Sequence, residues 1–148
     1  MPSASRETVR KTFPRAWVIS IGTELSVGQS VDTNAAWLAE QLAGLGYRAV
    51  RHVTVPDEVD AICDVLRQAA SASDLIVVSG GLGPTADDLT REALAAAAET
   101  ELEIDPGAVE QIRAFFARRG REMPQRNEVQ ARIPRTGRAL SRIWKRRD

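Results

Sequence analysis

The chain has 148 residues, 43% of them hydrophobic and 27% charged, the balance of one soluble globular domain with a single core. Its formal net charge of zero hides an acidic body, since residues 16–134 hold ten basic groups against eighteen acids while both ends are basic; that body argues against a nucleic-acid surface, which needs Lys and Arg for phosphate. A lone cysteine, Cys63, excludes a disulfide framework and a multi-cysteine metal cage, and no apolar run approaches the ~18 residues of a membrane span.

Residues 1–15 carry charges and small polar groups without an apolar stretch, so they read as a flexible basic tail rather than a secretory signal, and a cytoplasmic location is expected. Trp17-Val18-Ile19-Ser20-Ile21, ending at Gly22, predicts a buried strand. Asp32, Thr33 and Asn34 offer capping oxygens before Ala35, Leu38, Leu42 and Leu45, which recur at helical spacing, and Gly46 sits where that helix should stop. Residues 49–55 alternate as a half-exposed strand. Val59, Ile62, Cys63 and Leu66 mark a second helix, which makes Cys63 a core residue. Leu75-Ile76-Val77-Val78-Ser79 is the clearest strand, and a third helix is expected to begin near Asp88 and run through the alanines at 95–98. From Pro106 the pattern predicts helix only, with Val109, Ile112 and Phe116 on one stripe, Gly120 ending it and Pro124 opening a short helix. Trp17 and Trp37 read as packing residues, and His52 as a packing or surface residue.

Strands alternating with helices imply right-handed crossovers, hence an α/β domain with a mostly parallel sheet covered on both faces. Ligands of such sheets bind beyond the carboxyl ends of the strands. That rule gathers three loops: residues 22–33 with Gly22, Thr23, Glu24, Asp32 and Asn34; residues 54–58 with Asp57; and residues 80–88. In the last, Gly80, Gly81 and Gly83 allow backbone that side chains forbid, and the following helix offers free N–H groups to an anion. Pro84, Thr85, Asp87 and Asp88 crowd the same turn. A Walker loop would need a lysine that is absent. A dinucleotide fingerprint, loosely met by Gly81, Gly83 and Ala86, belongs after the first strand, and the two aspartates would repel a bare pyrophosphate. Paired carboxylates beside a phosphate make chemical sense with a divalent cation between them, which makes Asp87 and Asp88 candidate metal ligands, and Asp57 adds a further acid from the neighbouring strand end. Asp88 reads equally as a helix cap. No Ser-His-Asp or Cys-His set is present, which argues against acyl transfer.

The segments Ile19-Ser20-Ile21-Gly22-Thr23-Glu24-Leu25, Asp32-Thr33-Asn34, Val55-Pro56-Asp57 and Ser79-Gly80-Gly81-Leu82-Gly83-Pro84-Thr85-Ala86-Asp87-Asp88-Leu89-Thr90, with residues 116–124 and 127–134, resemble the N-terminal domain of the CinA (competence/damage-inducible protein A) family. The resemblance covers residues 16–134 and implies a three-layer molybdopterin-binding fold of the MoaB/MogA-like kind. It implies metal-dependent hydrolysis of ADP-ribose to AMP and ribose 5-phosphate, with Asp57 and Asp88 catalytic and at positions of metal and phosphate chemistry, and Gly80, Gly81 and Gly83 forming the phosphate-cradling turn beside the substrate-side Pro84 and Thr85. Glu24 falls in its substrate loop. The alternative is a non-catalytic module for molybdopterin or a protein partner. Homo-oligomers are common in relatives of this fold. After Ile133-Pro134 the family continues through a loop of the Asn-Pro-x-Gly-Thr-Ala-Pro-Gly type. Residues 135–148 read RTGRALSRIWKRRD instead, so the expectation is a basic tail and a fold incomplete at its C-terminus.

Overall fold

A computed structural model describes residues 12–140. Most of the two expected basic tails, residues 1–11 and 141–148, therefore lies outside the described residues. Strand β1 (Arg15–Ile21) is the central strand of a three-stranded sheet, parallel to β2 (Arg48–Val55) on one side and to β3 (Leu75–Ser79) on the other. Six consecutive apolar or small residues suit a strand buried on both faces, and every β1 residue after Arg15 is buried. Its start is pinned twice: the Arg15 amide donates to Asp74 Oδ2 at 2.7 Å, and the Asp74 amide donates to the Arg15 carbonyl at 2.8 Å.

The alternation of β1 divides the core into two halves. Trp17, Ile19 and Ile21 face α3 (Val59–Ala72), whose Ile62, Cys63, Val65, Leu66 and Ala69 are buried, and Ala93 of α4 (Thr90–Ala97). Ala16 and Val18 face Ala35 and Leu42 of α2 (Thr33–Gly44). The result is the expected three layers, helix on sheet on helix. Burying each of Ile19, Ile62 and Val18 stabilises the fold by about 1.5–3 kcal/mol. Cys63 is core as expected, its thiol donating to the Ala93 carbonyl at 3.2 Å. Trp17 is also core, with the Arg51 guanidinium 4.8 Å from its ring centroid, and His52 is exposed.

Helix α2 starts as its caps predict, with Asp32 Oδ1 accepting from the Ala35 amide at 3.0 Å. It ends at Gly44. Gly46, at φ 85, follows the end in a Schellman arrangement, the Tyr47 amide reaching the Leu42 carbonyl at 2.9 Å. Three expectations need correction. Trp37 is 53% exposed, because it falls on the α2 face turned away from the sheet. The helix expected from Asp88 begins at Thr90, because residues 85–88 close a turn of their own. The region after Pro106 is not helix only: α5 (Pro106–Ala117) and a 3-10 turn (Gln125–Ala131) lead into β5 (Arg132–Pro134), antiparallel to β4 (Leu102–Ile104). Three-residue strands are too short for a period-two pattern to show. A short helix, α1 (Thr23–Ser26), also occupies the loop after β1. Among the described residues, no strand pairs with the outer edge of β3, and no helix is long and apolar enough to cross a membrane.

Candidate functional site

The three parallel strands end level with one another, Ile21 opposite Val55 and Ser20 opposite Ser79. Their outgoing loops therefore share one edge of the sheet, as the sequence predicts. Gly22 closes the edge of β1 on β2 by donating to the Val55 carbonyl at 3.0 Å. Thr23 then locks its loop to the next. Its amide and hydroxyl donate to Asp57 Oδ2 at 2.9 and 3.2 Å, and the Asp57 amide is 3.2 Å from Thr23 Oγ1. One carboxylate oxygen of Asp57 is thus engaged in tying two loops together.

The glycine turn is held from behind. The Thr90 hydroxyl donates to the Gly80 carbonyl at 2.8 Å, and the Thr90 amide donates to the Gly81 carbonyl at 3.2 Å. The Arg91 guanidinium forks onto the next two carbonyls, Leu82 and Gly83, at 2.7 Å each. Gln130, braced by the buried Asn127 at 2.8 Å, adds a bond to Leu82 at 3.2 Å. Four consecutive carbonyls are therefore turned toward the protein. In a planar trans peptide the N–H points opposite to the C=O, so the Gly81 and Leu82 amides face away from α4. Pro84 has no donor to add. Arg91 is only 5% exposed, and sequence reasoning missed it because an arginine within a helix reads as a solvated charge. Its one sequence signal is position: four residues before the buried Ala95, it shares that inward face.

Asp88 closes the far side of the turn. Its Oδ2 accepts from the Thr85 amide at 2.9 Å and from the Thr85 hydroxyl at 2.6 Å. Burial by itself would raise its pKa. The Thr85 hydroxyl and amide, the Gly83 amide and the Arg91 charge outweigh burial and hold the carboxyl below its ordinary value of 3.8. A depressed folded pKa adds stability that is full above the unfolded value and lost as pH falls through the folded one. Asp88→Asn should therefore be less stable than wild type by a constant amount at neutral pH. The gap should close as pH drops below 3.8, which urea melts at a series of pH values would show.

A cleft of about 200 Å³ opens between the ends of β1 and β3, α1 and the start of α2. Four expected residues meet there, Glu24, Asp32, Asn34 and Gly80, joined by Ser20, Thr33 and Ser79. Gly22, Thr23, Gly81, Gly83, Pro84, Thr85 and the three aspartates Asp57, Asp87 and Asp88 lie outside its lining. The expected site is thus two adjoining parts, a polar cleft and the outward face of the glycine turn, with Gly80 common to both. Among the described residues no three His, Cys, Asp or Glu side chains stand together as a metal cage, so Asp57, Asp87 and Asp88 do not form one.

Residues 17–141 match the family described as "Probable molybdopterin binding domain". A CinA-like protein of Thermomicrobium roseum is 53% identical over 120 residues, 80% of this chain and 30% of that protein. A putative competence-damage inducible protein of Symbiobacterium thermophilum is 46% identical over 125 residues, covering 84% and 29%. The chain thus spans about a third or less of these two relatives, and 45% of a third, from Aeropyrum pernix. Among solved structures, the CinA protein of unknown function from Thermoplasma acidophilum superposes with a TM-score of 0.76 at 37% identity, over 84% of this chain and 73% of that one. The molybdopterin biosynthesis enzyme MoaB of Thermus thermophilus gives 0.55 at 31% identity, over 68% and 63%.

Proposed function

Because the chain belongs to the molybdopterin-binding-domain family, among its CinA-like members, we propose that it binds a nucleotide diphosphate across the carboxyl edge of its sheet and hydrolyses the pyrophosphate bond. ADP-ribose would yield AMP and ribose 5-phosphate. The observation that carries this reading is the glycine turn, whose carbonyls are tied inward so that the Gly81 and Leu82 amides are presented to an anion without reorganisation. Water adds to one phosphorus, the bridging P–O bond breaks, and the bridging oxygen leaves on the other phosphate. Charge that grows on the phosphoryl oxygens meets those two amides.

Asp57 and Asp88 flank this reaction, and their carboxylates would repel a bare diphosphate. A small divalent cation that keeps most of its ligands as water and phosphate oxygen, and takes only one or two carboxylates, fits a site with no three-acid cage. Asp57 and Asp88 would hold it, and it would neutralise the diphosphate and acidify a bound water. AMP release from ADP-ribose is expected with Mg²⁺ or Mn²⁺ and is expected to stop with a chelator. A folded protein that releases no AMP with any divalent metal would sink the hydrolase reading. The second reading, a pterin-binding module without turnover, is favoured by the family description and by the MoaB-like neighbour. It predicts saturable heat on titration with a pterin phosphate and none with ADP-ribose.

A further inference from the structure

We propose that the cleft beneath the start of α2 seats the ribose ring of a 5′-nucleotide, with the Ser20 hydroxyl reading one of its two ring hydroxyls. This rests on the nucleotide reading above and assigns the sugar its place. Ser20 is 2% exposed, and its Oγ has no hydrogen-bond partner. Native folds rarely leave a buried hydroxyl orphaned, because it forfeits water without compensation. A polar group left unmatched at the wall of a cleft is matched when a ligand arrives.

The strand pattern aims it there. Ala16 and Val18 pack against α2, and Ser20 is the next residue on that face, at the open end of β1. Ser79 is its register partner on β3, two residues beyond Val77, which packs against the same cluster. Two serines side by side thus floor a cleft walled by Glu24, Asp32 and Asn34. A volume of about 200 Å³ is below the ~300–1,000 Å³ that takes a whole drug-sized ligand, and it suits a single ring. The chemistry selects which ring substituents enter. Two carboxylates among three hydroxyls and the Asn34 amide favour a group that donates hydrogen bonds and bears no negative charge, so sugar hydroxyls enter and phosphate does not. Phosphate instead reaches the amides of the adjoining turn, and Gly80, shared by both parts, sets the short span between a ribose and its own 5′-phosphate.

The test is calorimetric titration of the whole chain with AMP, 2′-deoxy-AMP and 3′-deoxy-AMP, repeated on Ser20→Ala and Ser79→Ala and paired with thermal melts. Wild type should bind AMP about tenfold tighter than at least one deoxy analogue. Ser20→Ala should bind AMP as weakly as wild type binds that analogue, gain nothing from the missing hydroxyl, and melt no lower than wild type, since it removes an orphaned group. Equal affinity of wild type for all three ligands would overturn the ribose seat and leave nucleotide binding standing. Discrimination that survives in Ser20→Ala would also overturn the role of Ser20. Absence of any AMP or ADP-ribose binding would remove the nucleotide reading and this inference with it.

Discussion

Gly80→Ala is expected to prevent folding or to lower the melting temperature by more than about 10 °C, whereas Gly28→Ala should cost only a few degrees. Both glycines have positive φ, 96° and 75°, so both substitutions incur the left-handed penalty of about 1–2 kcal/mol. The difference lies in what a new Cβ would meet. At Gly28 nothing lies within 4 Å. At Gly80 it would run into the backbone carbonyl of Ile21, on the buried central strand. Ile21 cannot step aside, because it is in register with Val55 and the adjacent Gly22 amide is bonded across to the same residue. The clash therefore adds to the conformational cost, for a total above about 3 kcal/mol. Gly81→Ala, at φ 61°, should fall between the two: its Cβ would meet the Thr90 hydroxyl, a movable group, but one whose displacement releases the Gly80 carbonyl. Circular-dichroism melts of the three variants give the ranking. Equal melting of Gly80→Ala and Gly28→Ala would mean that the turn is not pressed against β1.

Close packing against a central strand is also what makes part of the candidate site legible in the sequence. The strands β1, β2 and β3 and the helices α2 and α3 are long enough for apolar periodicity to reveal them, and parallel topology alone then places residues 22–33, 54–58 and 80–88 at one edge. Glu24, Asp32, Asn34 and Gly80 do meet there. Illegible features depended on partners distant in sequence. Nothing local says that the carboxylates of Asp57 and Asp88 turn onto Thr23 and Thr85 rather than onto each other. Ser20 reads as a small residue in an apolar strand until the neighbouring serine and the start of α2 surround it. The pairing of β4 with β5 joins residues about thirty apart through three-residue strands, one of them ending in proline, and no periodicity survives at that length. Trp37 shows the limit of size as a guide, since a large aromatic was read as core while its helix faces the sheet with Ala35 and Leu42.

Arg91 is the residue whose loss should separate holding the turn from folding the domain. Its guanidinium spans two adjacent carbonyls at 2.7 Å each, a fork that a lysine ammonium cannot reproduce, because it reaches one acceptor along any one direction. Arg91→Met leaves the Gly83 carbonyl without that donor and the Leu82 carbonyl with only the longer bond from Gln130. Two weakened, part-buried acceptors cost about 2–4 kcal/mol, and removing a charge that was buried without a close ion-pair partner returns part of it. A net loss of about 1–3 kcal/mol in urea denaturation is therefore expected for Arg91→Met, and a smaller one for Arg91→Lys. Ligand binding should rank differently. In Arg91→Lys the domain stays folded and Thr90 still orients the Gly81 and Leu82 amides, but the Leu82–Gly83 and Gly83–Pro84 peptides that follow are no longer both fixed, so the turn that carries those amides loosens. AMP affinity should then fall by about tenfold or more at a temperature where the variant is fully folded. Calorimetric titration beside the denaturation curves separates the two effects. Wild-type affinity in Arg91→Lys would show that the fork serves stability alone, and wild-type stability in Arg91→Met would show that Thr90 and Gln130 suffice to hold the turn.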